Sequence, residues 1–288
     1  MSQLLSASLK EVDLPDGFPF SVPVIRSLGT LDLGVPVSLF VGENGSGKST
    51  LLEGLAVAAN LPAVASGSLS KDPTLAAQRE LARNLKLAWM TRSHRGFFLR
   101  AEDFFGFQKD IVQRRVEHEA ELGRLEVELK DASPLARNLA MGVHRGSIDA
   151  LTSRYGESPD ARSHGEAFLH LFKSRLVPQG LYLLDEPEAA LSPQSQLAFL
   201  SMVRDAVEDG GQFIIATHSP ILMAIPGARV FVFDGGEVRI ESYEDLESVT
   251  LVKEFLQSPG RYLRHLWPTE PPQGQEYLPK VEPPGSSR

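Results

Sequence analysis

The chain has 288 residues, of which 42% are hydrophobic and 23% are charged, as expected for a folded globular protein with a substantial core. It has no cysteine, which excludes disulfides, cysteine nucleophiles and thiolate metal sites. The formal net charge of −8 argues against a protein that coats nucleic acid, because such proteins are usually basic.

The first third of the chain leads into a glycine-rich loop. Prolines and glycines interrupt residues 1–36 at short intervals, which predicts a small β-rich layer. Residues 37–41 (VSLFV) are typical of a buried strand, and residues 51–59 (LLEGLAVAA) of a buried helix. The loop between them, GENGSGKST at residues 42–50, fits the pattern G-x-x-x-x-G-K-[ST].

Strand, glycine loop and helix in this order predict a binding site for the phosphates of ATP. Glycines let the backbone curl so that successive N–H groups point at one anion, and the helix N-terminus adds further donors. Lys48 would reach the β- and γ-phosphates, and Ser49 would offer its hydroxyl to Mg²⁺. An ordinary Gly/Ser turn is the alternative, which the flanking elements disfavour. The residues expected to bind the nucleotide here are Gly42, Asn44, Gly45, Ser46, Gly47, Lys48, Ser49 and Thr50.

The middle of the chain reads mainly as helix. Apolar spacing predicts a helix over residues 73–87, and GFFL at residues 96–99 predicts a strand. The highly charged residues 108–131 predict one amphipathic surface helix, too short for a long coiled-coil arm. Within residues 135–180 only one helix is predicted, at about 165–175. We therefore expect a helical subdomain inserted at about residues 73–175.

The second half alternates strands with a helix. Residues 181–184, 213–216 and 230–233 are apolar strands, and a helix over residues 193–208 lies between the first two. This alternation predicts an α/β fold with a mostly parallel sheet covered on both faces. We expect one domain over residues 1–267, and a flexible, proline-rich tail over residues 268–288.

Polar residues follow two of these strands. The strand at residues 181–184 ends in Asp185 and Glu186, where a phosphate-loop ATPase needs a second Mg²⁺ contact and a base for the attacking water. His218 follows the next strand and would contact the γ-phosphate, because the carboxyl ends of parallel strands form the ligand-binding edge of such sheets. Acidic strand ends and isolated histidines are common, so both assignments depend on the preceding glycine loop.

The order of these motifs resembles the ABC-type ATPases, in particular the branch that includes the structural-maintenance-of-chromosomes and RecF-like heads and small AAA-family ATPases. GENGSGKST (42–50) resembles the Walker A motif, LYLLDEPE (181–188) the Walker B motif, and ATHSP (216–220) the switch-histidine segment. The resemblance implies a P-loop fold, hydrolysis of ATP with Mg²⁺, catalytic roles for Glu186 and His218, and metal binding by Ser49 and Asp185.

The resemblance also implies a dimer. Ser163 and Gly165 stand where the ABC signature supplies a hydroxyl and a backbone N–H to the nucleotide of a partner subunit, so two copies would enclose two ATP molecules. The local sequence departs from the usual Leu-Ser-Gly-Gly, with Arg162 for leucine and His164 for one glycine. A plain helix cap, with Ser163 and Glu166 as a capping box, is compatible with the same residues.

Three other positions of the family pattern are less clear. The segment AALSP (189–193) occupies the D-loop position, with Ser192 where aspartate is common. No glutamine marks the Q-loop, and Arg100 or Glu102 could take its place. The adenine contact is open among Phe18, Phe20 and Arg26, with core packing favoured for both phenylalanines. We therefore assign none of these residues to the site: Ser192, Arg100, Glu102, Phe18, Phe20 and Arg26.

Three functions compete on this basis. The first is a cytoplasmic ATPase that dimerises on ATP, with an output in DNA repair or defence and with a nucleic acid or protein client. The second is the ATPase subunit of a membrane transporter. Glu166, the glutamate that ends the signature, disfavours this function, and with it a membrane partner. The third is a binding module switched by ATP without turnover, which Glu186 disfavours.

Overall fold

The computed structural model describes residues 3–10, 13–64, 67–68, 76–92, 94–155, 164–264 and 266. The predicted tail at 268–288 and the signature residues Arg162 and Ser163 lie outside these ranges. The strands are β1 (Leu4–Leu9), β2 (Leu31–Asp32), β3 (Val37–Gly42), β4 (Pro62–Ala63), β5 (Gly67–Ser68), β6 (Leu85–Trp89), β7 (Gly96–Arg100), β8 (Leu181–Asp185), β9 (Gln212–Ala216), β10 (Arg229–Asp234) and β11 (Glu237–Glu241).

The helices alternate with these strands. They are α1 (Pro23–Arg26), α2 (Lys48–Ala58), α3 (Ala76–Asn84), α4 (Ala101–Glu128), α5 (Pro134–Tyr155), α6 (His164–Arg175), α7 (Pro193–Glu208), α8 (Pro220–Met223), α9 (Glu247–Gln257) and α10 (Pro259–Leu263). Short 3-10 turns occupy Pro187–Ala190 and Tyr243–Asp245. None of the helices in the described ranges combines the length and the apolar character needed to cross a bilayer.

The main sheet has the order β11-β10-β3-β9-β8-β7-β4-β5. Its pairs from β10 to β4 are parallel, and β5 and β11 are antiparallel at the two edges. Strands β3, β8 and β9 are buried over almost their whole length, which explains their continuous apolar sequences. The predicted α/β fold with a mostly parallel sheet is confirmed.

A second, antiparallel sheet has the order β2-β1-β6 and forms the predicted N-terminal β layer. The buried Gln212 at the start of β9 joins it to the main sheet. Its Oε1 accepts hydrogen bonds from the backbone N–H groups of Gln3 and Leu4, at 2.9 and 2.8 Å. Its Nε2 donates to the carbonyls of Leu4 and Leu33, at 2.9 and 2.7 Å. One side chain therefore satisfies four backbone groups between the sheets.

The prediction of one helix over residues 73–87 is wrong at its C-terminal end. Helix α3 ends at Asn84, and residues 85–89 form β6, which pairs with β1 in the register Leu9↔Leu85. Leu85, Leu87 and Trp89 alternate with exposed residues, so the period is that of a strand. Residues 73–75 lie outside the described ranges.

The helix predicted over residues 108–131 is present as far as Glu128, but it is longer than predicted and is paired with a second helix. Helix α4 begins at Ala101 and packs against α5, which the sequence did not predict. The two helices form an antiparallel hairpin, with His118 Nδ1 3.0 Å from His144 Nδ1. Arg137 Nη2 donates to the carbonyl of Leu129 at 3.0 Å and so closes the turn between them. The described residues between β7 and β8 thus form the three helices α4, α5 and α6.

The chain separates into two compact units, residues 1–242 and 243–288. The second is described as far as Arg264, with Leu266. In it α9 and α10 pack together, with the rings of Phe255 and Tyr262 5.8 Å apart, and the Tyr262 hydroxyl donates to Glu254 at 2.7 Å. The predicted limits of the domain and of its helical subdomain stay predictions.

Candidate active site

Four neighbouring parallel strands end at one edge of the main sheet. The pairing registers are Phe40↔Ala216, Ala216↔Asp185 and Asp185↔Arg100, so β3, β9, β8 and β7 finish side by side. The chain segment after each strand therefore opens onto the same edge. This arrangement brings the glycine loop, both acidic residues and His218 together, as the sequence predicted.

At two positions of the glycine loop, Gly42 and Gly47, the backbone has a conformation that only glycine adopts without strain. Gly42 has φ +141°, and a Cβ there would lie 2.4 Å from the Phe233 carbonyl oxygen. Gly47 has φ +100°, and a Cβ there would lie 2.6 Å from Val24 Cγ1. Gly47 directly precedes α2, so the unpaired N–H groups of the first helical turn are directed at the loop.

Lys48 is the buried cation of the loop, with only 4% of the residue exposed. Its Nζ donates to the carbonyl oxygens of Gly42 and Glu43, at 2.8 and 2.7 Å. Burial lowers the pKa of Lys48, and the nearby carboxylates of Glu186 and Asp185 oppose that shift. The ammonium group is thus fixed inside the turn where phosphate oxygens are expected to bind.

Ser49 and Asp185 meet at the centre of the site. Ser49 Oγ donates to Asp185 Oδ1 at 3.0 Å. Two adjacent oxygen ligands of an octahedral Mg²⁺ stand about 2.9 Å apart, because each lies about 2.1 Å from the metal. This oxygen pair therefore fits Mg²⁺. Burial raises the pKa of Asp185 to about 6, against the opposing effects of the Ser49 hydrogen bond and the Arg100 charge.

Glu186 and His218 face each other beside this pair. His218 Nε2 lies 3.6 Å from Glu186 Oε1, and both side chains are partly exposed. Glu186 has φ +49°, unusual for a residue with a Cβ, and its N–H donates to the Ala216 carbonyl at 2.9 Å. Such a turn directs a carboxylate out of the sheet towards the loop, where an attacking water would need a base.

Arg100 and Glu53 form a second charged group at the same edge, which the sequence did not reveal. Arg100 ends β7 and pairs with Glu53, a buried carboxylate on α2. Its Nη1 lies 3.4 Å from Glu102 Oε1, and its Nε lies 3.9 Å from Asp185 Oδ2. Gln78 donates to the other oxygen of Glu53 at 2.5 Å. Arg100, left open as a Q-loop substitute, therefore does lie beside Asp185, the carboxylate predicted to bind Mg²⁺.

The described part of the signature lies near the D-loop position. An ideal Cβ on Gly165, in the first turn of α6, would lie 3.0 Å from Ser195 Oγ. Ser192 is the N-cap of α7 and accepts a hydrogen bond from the Ser195 N–H at 3.2 Å. Whether Ser163 and Gly165 bind a partner's nucleotide stays a prediction.

The two phenylalanines considered for the adenine contact differ. Phe20 is buried in the core, with 1% exposed, as the sequence indicated. Core packing was the wrong expectation for Phe18, of which 55% is exposed. Arg26 is exposed and lies 3.5 Å from Asp16.

Two family models match the chain. Residues 24–127 match a model described as "AAA domain", and residues 167–224 match one described as "AAA domain, putative AbiEii toxin, Type IV TA system". Two stretches of the chain are therefore similar to AAA-type domains. The matches cover the glycine loop, both strand-end acids and His218, and they confirm the predicted resemblance to AAA-family ATPases.

Two curated relatives are identical to the chain at about a quarter of the aligned positions. The hemin import ATP-binding protein HmuV of Nocardia farcinica is 28% identical over 255 residues, which cover 85% of this chain and 81% of HmuV. The pyoverdine export ATP-binding/permease protein PvdT of Pseudomonas fluorescens is 27% identical over 233 residues, 77% of this chain. That alignment spans only 32% of PvdT.

Solved structures align along most of the chain at low identity. A nucleotide-free ATP-binding cassette from an ABC transporter has 17% identity and a TM-score of 0.44, covering 90% of this chain and 97% of the cassette. The Smc head domain from Pyrococcus furiosus has 11% identity and a TM-score of 0.42, covering 88% and 99%.

Proposed function

We propose that this protein hydrolyses ATP with Mg²⁺ and that ATP brings two copies together. The observation that supports the proposal best is the 3.0 Å contact between Ser49 and Asp185, an oxygen pair that fits Mg²⁺ close to the buried Lys48. A glycine loop, a buried lysine and a strand-end carboxylate pair together suit the binding of a nucleoside triphosphate.

The residues divide the chemistry between them. Lys48 and the N–H groups at the start of α2 bind and neutralise the phosphates. Ser49 and Asp185 would hold Mg²⁺, whose positive charge would stabilise the diphosphate leaving group. Glu186 accepts a proton from the attacking water, and His218, 3.6 Å from it, orients that water and the γ-phosphate. The burial of Lys48 and Asp185 strengthens the electrostatic contacts that these two residues make.

Dimerisation would complete the site from a second copy. The α6 N-terminus, beside Ser195, lies in the segment whose sequence resembles the signature, and a helix N-terminus favours an anion. In a two-fold dimer each α6 would face the triphosphate held by its partner, so both sites form together. ATP bound at the interface would then contact both copies and stabilise the dimer.

The proposed dimer is tested by comparing the elution of two variants, Glu186→Gln and Lys48→Ala, on a sizing column in the presence of ATP. We expect Glu186→Gln to bind ATP and to elute as a dimer, because the triphosphate persists between the copies. Lys48→Ala should stay monomeric in ATP, because it cannot hold the nucleotide. A Glu186→Gln variant that binds ATP and stays monomeric would overturn the dimer, and an equally ATP-bound Lys48→Ala would overturn the phosphate site.

A second candidate, the ATPase subunit of a membrane transporter, is supported by the likeness to HmuV over 81% of that protein. The two candidates share the nucleotide chemistry and differ in the partner. Pull-down of Glu186→Gln from detergent-solubilised membranes separates them. A stoichiometric integral membrane protein would support the transporter, and its absence beside a stable homodimer would support the free ATPase.

A further inference from the structure

The loop that carries His218 is held mainly through its backbone. The Thr217 N–H donates to the Phe40 carbonyl at 3.0 Å, which fixes the loop to β3. The next N–H, of His218 itself, donates to Glu188 Oε1 at 2.6 Å. The His218 side chain is 37% exposed, so the position of the ring depends on these backbone contacts more than on packing.

Glu188 belongs to the segment that follows the two acidic residues of β8. It lies in the 3-10 turn Pro187–Ala190, two residues after Glu186. A short hydrogen bond from a backbone N–H to a carboxylate is stronger than a neutral one. Glu188 therefore fixes the start of the histidine loop relative to the carboxylate that the histidine faces.

Gln196 holds Ser219, the residue that follows His218 in the loop. Ser219 Oγ donates to Gln196 Oε1 at 2.6 Å, and both residues are more than nine-tenths buried. Gln196 Nε2 donates to the Leu191 carbonyl at 3.3 Å. A buried amide that uses both of its ends restricts the chain on both sides, because breaking either bond leaves a buried polar group unsatisfied.

We propose that Glu188 and Gln196 are positioning residues that hold His218 against Glu186. Both come from residues 187–196, which include the D-loop position, and they bind two consecutive residues of the histidine loop, His218 and Ser219. The proposal rests on the proposed ATPase function for its kinetic part only. Any partner that contacts residues 189–195 would then change the rate of hydrolysis through these two side chains.

The kinetic test separates positioning from binding. We expect Glu188→Ala and Gln196→Leu to lower kcat on the order of 10- to 100-fold, since a misplacement of about 1 Å has effects of that size. The KM for ATP should change less than about twofold, because Lys48 and the glycine loop are untouched. Glu188→Gln keeps an acceptor for the His218 N–H and should retain most of kcat. Gln194→Leu, at an exposed position of the same helix turn, is the matched control.

A spectroscopic test is independent of activity. The chain has seven histidines, so ¹⁵N-histidine labelling gives few backbone signals, and His218→Asn identifies that of His218. Glu188→Ala and Gln196→Leu should shift the His218 amide signal and speed its hydrogen exchange, whereas Gln194→Leu should not. Unchanged His218 signals in both variants would overturn the proposal. If the wild type does not hydrolyse ATP but the His218 signals still shift in Glu188→Ala and Gln196→Leu, the ATPase function is refuted and the positioning of His218 by these residues is supported.

Discussion

Ser49 Oγ and Asp185 Oδ1 lie 3.0 Å apart although 136 positions separate the two residues along the chain. Ser49 lies in the first turn of α2, the helix that follows β3 and the glycine loop, and Asp185 ends β8, two places from β3 in the sheet. Their contact joins the phosphate-binding loop to the carboxylate pair. The parallel sheet therefore brings two remote segments together at one candidate site.

Asp185 is expected to lower stability in exchange for metal binding. Its pKa is raised from 3.8 to about 6, so its favourable contribution to folding is present below pH 3.8 and is lost as the pH rises through about 6. This shift corresponds to roughly 3 kcal/mol. We expect Asp185→Asn, measured by urea unfolding in EDTA, to be more stable than wild type at pH 8 and to lose this advantage towards pH 4.

The same variant should lose Mg²⁺-dependent hydrolysis, because a neutral amide oxygen binds Mg²⁺ more weakly than a charged carboxylate does. Equal or lower stability of Asp185→Asn at pH 8 would show that burial of this charge costs the fold nothing. Ser49→Ala serves as the companion variant, since it removes the hydrogen bond that lowers the Asp185 pKa and leaves the carboxylate in place.

Arg100 and Glu53 are expected to be strongly coupled. Arg100→Gln leaves the buried Glu53 carboxylate without its cation and should reduce the free energy of unfolding by up to about 3–5 kcal/mol. The double variant with Glu53→Gln should lose less than the sum of the single variants, by about 1 kcal/mol or more. Additive losses in a double-mutant cycle would contradict a structural ion pair.

Gly42→Ala is expected to strain the glycine loop. The substituted Cβ would meet the Phe233 carbonyl, and φ is +141°, so a loss on the order of 1–3 kcal/mol is expected. Gly29→Ala, where a Cβ meets nothing within 4 Å and φ is not positive, is the control. Urea midpoints measure both, and equal midpoints would contradict the loop geometry.

Gln212→Leu is expected to loosen the N-terminal sheet. Its amide satisfies the N–H groups of Gln3 and Leu4 and the carbonyls of Leu4 and Leu33. Each buried group left unsatisfied costs about 1–3 kcal/mol, so the total loss should exceed about 3 kcal/mol. Hydrogen exchange should rise first in β1. Wild-type protection of β1 in this variant would show that the amide does not join the sheets.

The sequence predicted the parts of the site that local chemistry determines. The glycine loop, the strand before it and the acidic pair each follow from a contiguous segment, and apolar strands predict a parallel sheet whose ends share one edge. Arg100 could not be assigned in this way, because its role depends on the register of β7 with β8 and on a carboxylate in α2.

Helix α5 and strand β6 were missed for different physical reasons. Gly142 and Gly146 lower the intrinsic helix propensity of residues 134–155, and packing against α4 compensates for it. In residues 85–89 the alternation of Leu85, Leu87 and Trp89 is short, and a helical pattern precedes it directly. Pairing with β1, more than 70 positions away, decides the conformation.

The central claim is that this site hydrolyses ATP with Glu186 as the base, and phosphate release by purified wild type and Glu186→Gln tests it most directly. The account predicts Mg²⁺-dependent release by the wild type and a loss on the order of 10²- to 10⁴-fold in the variant, which should still bind ATP. Equal rates of phosphate release from the two proteins would contradict it.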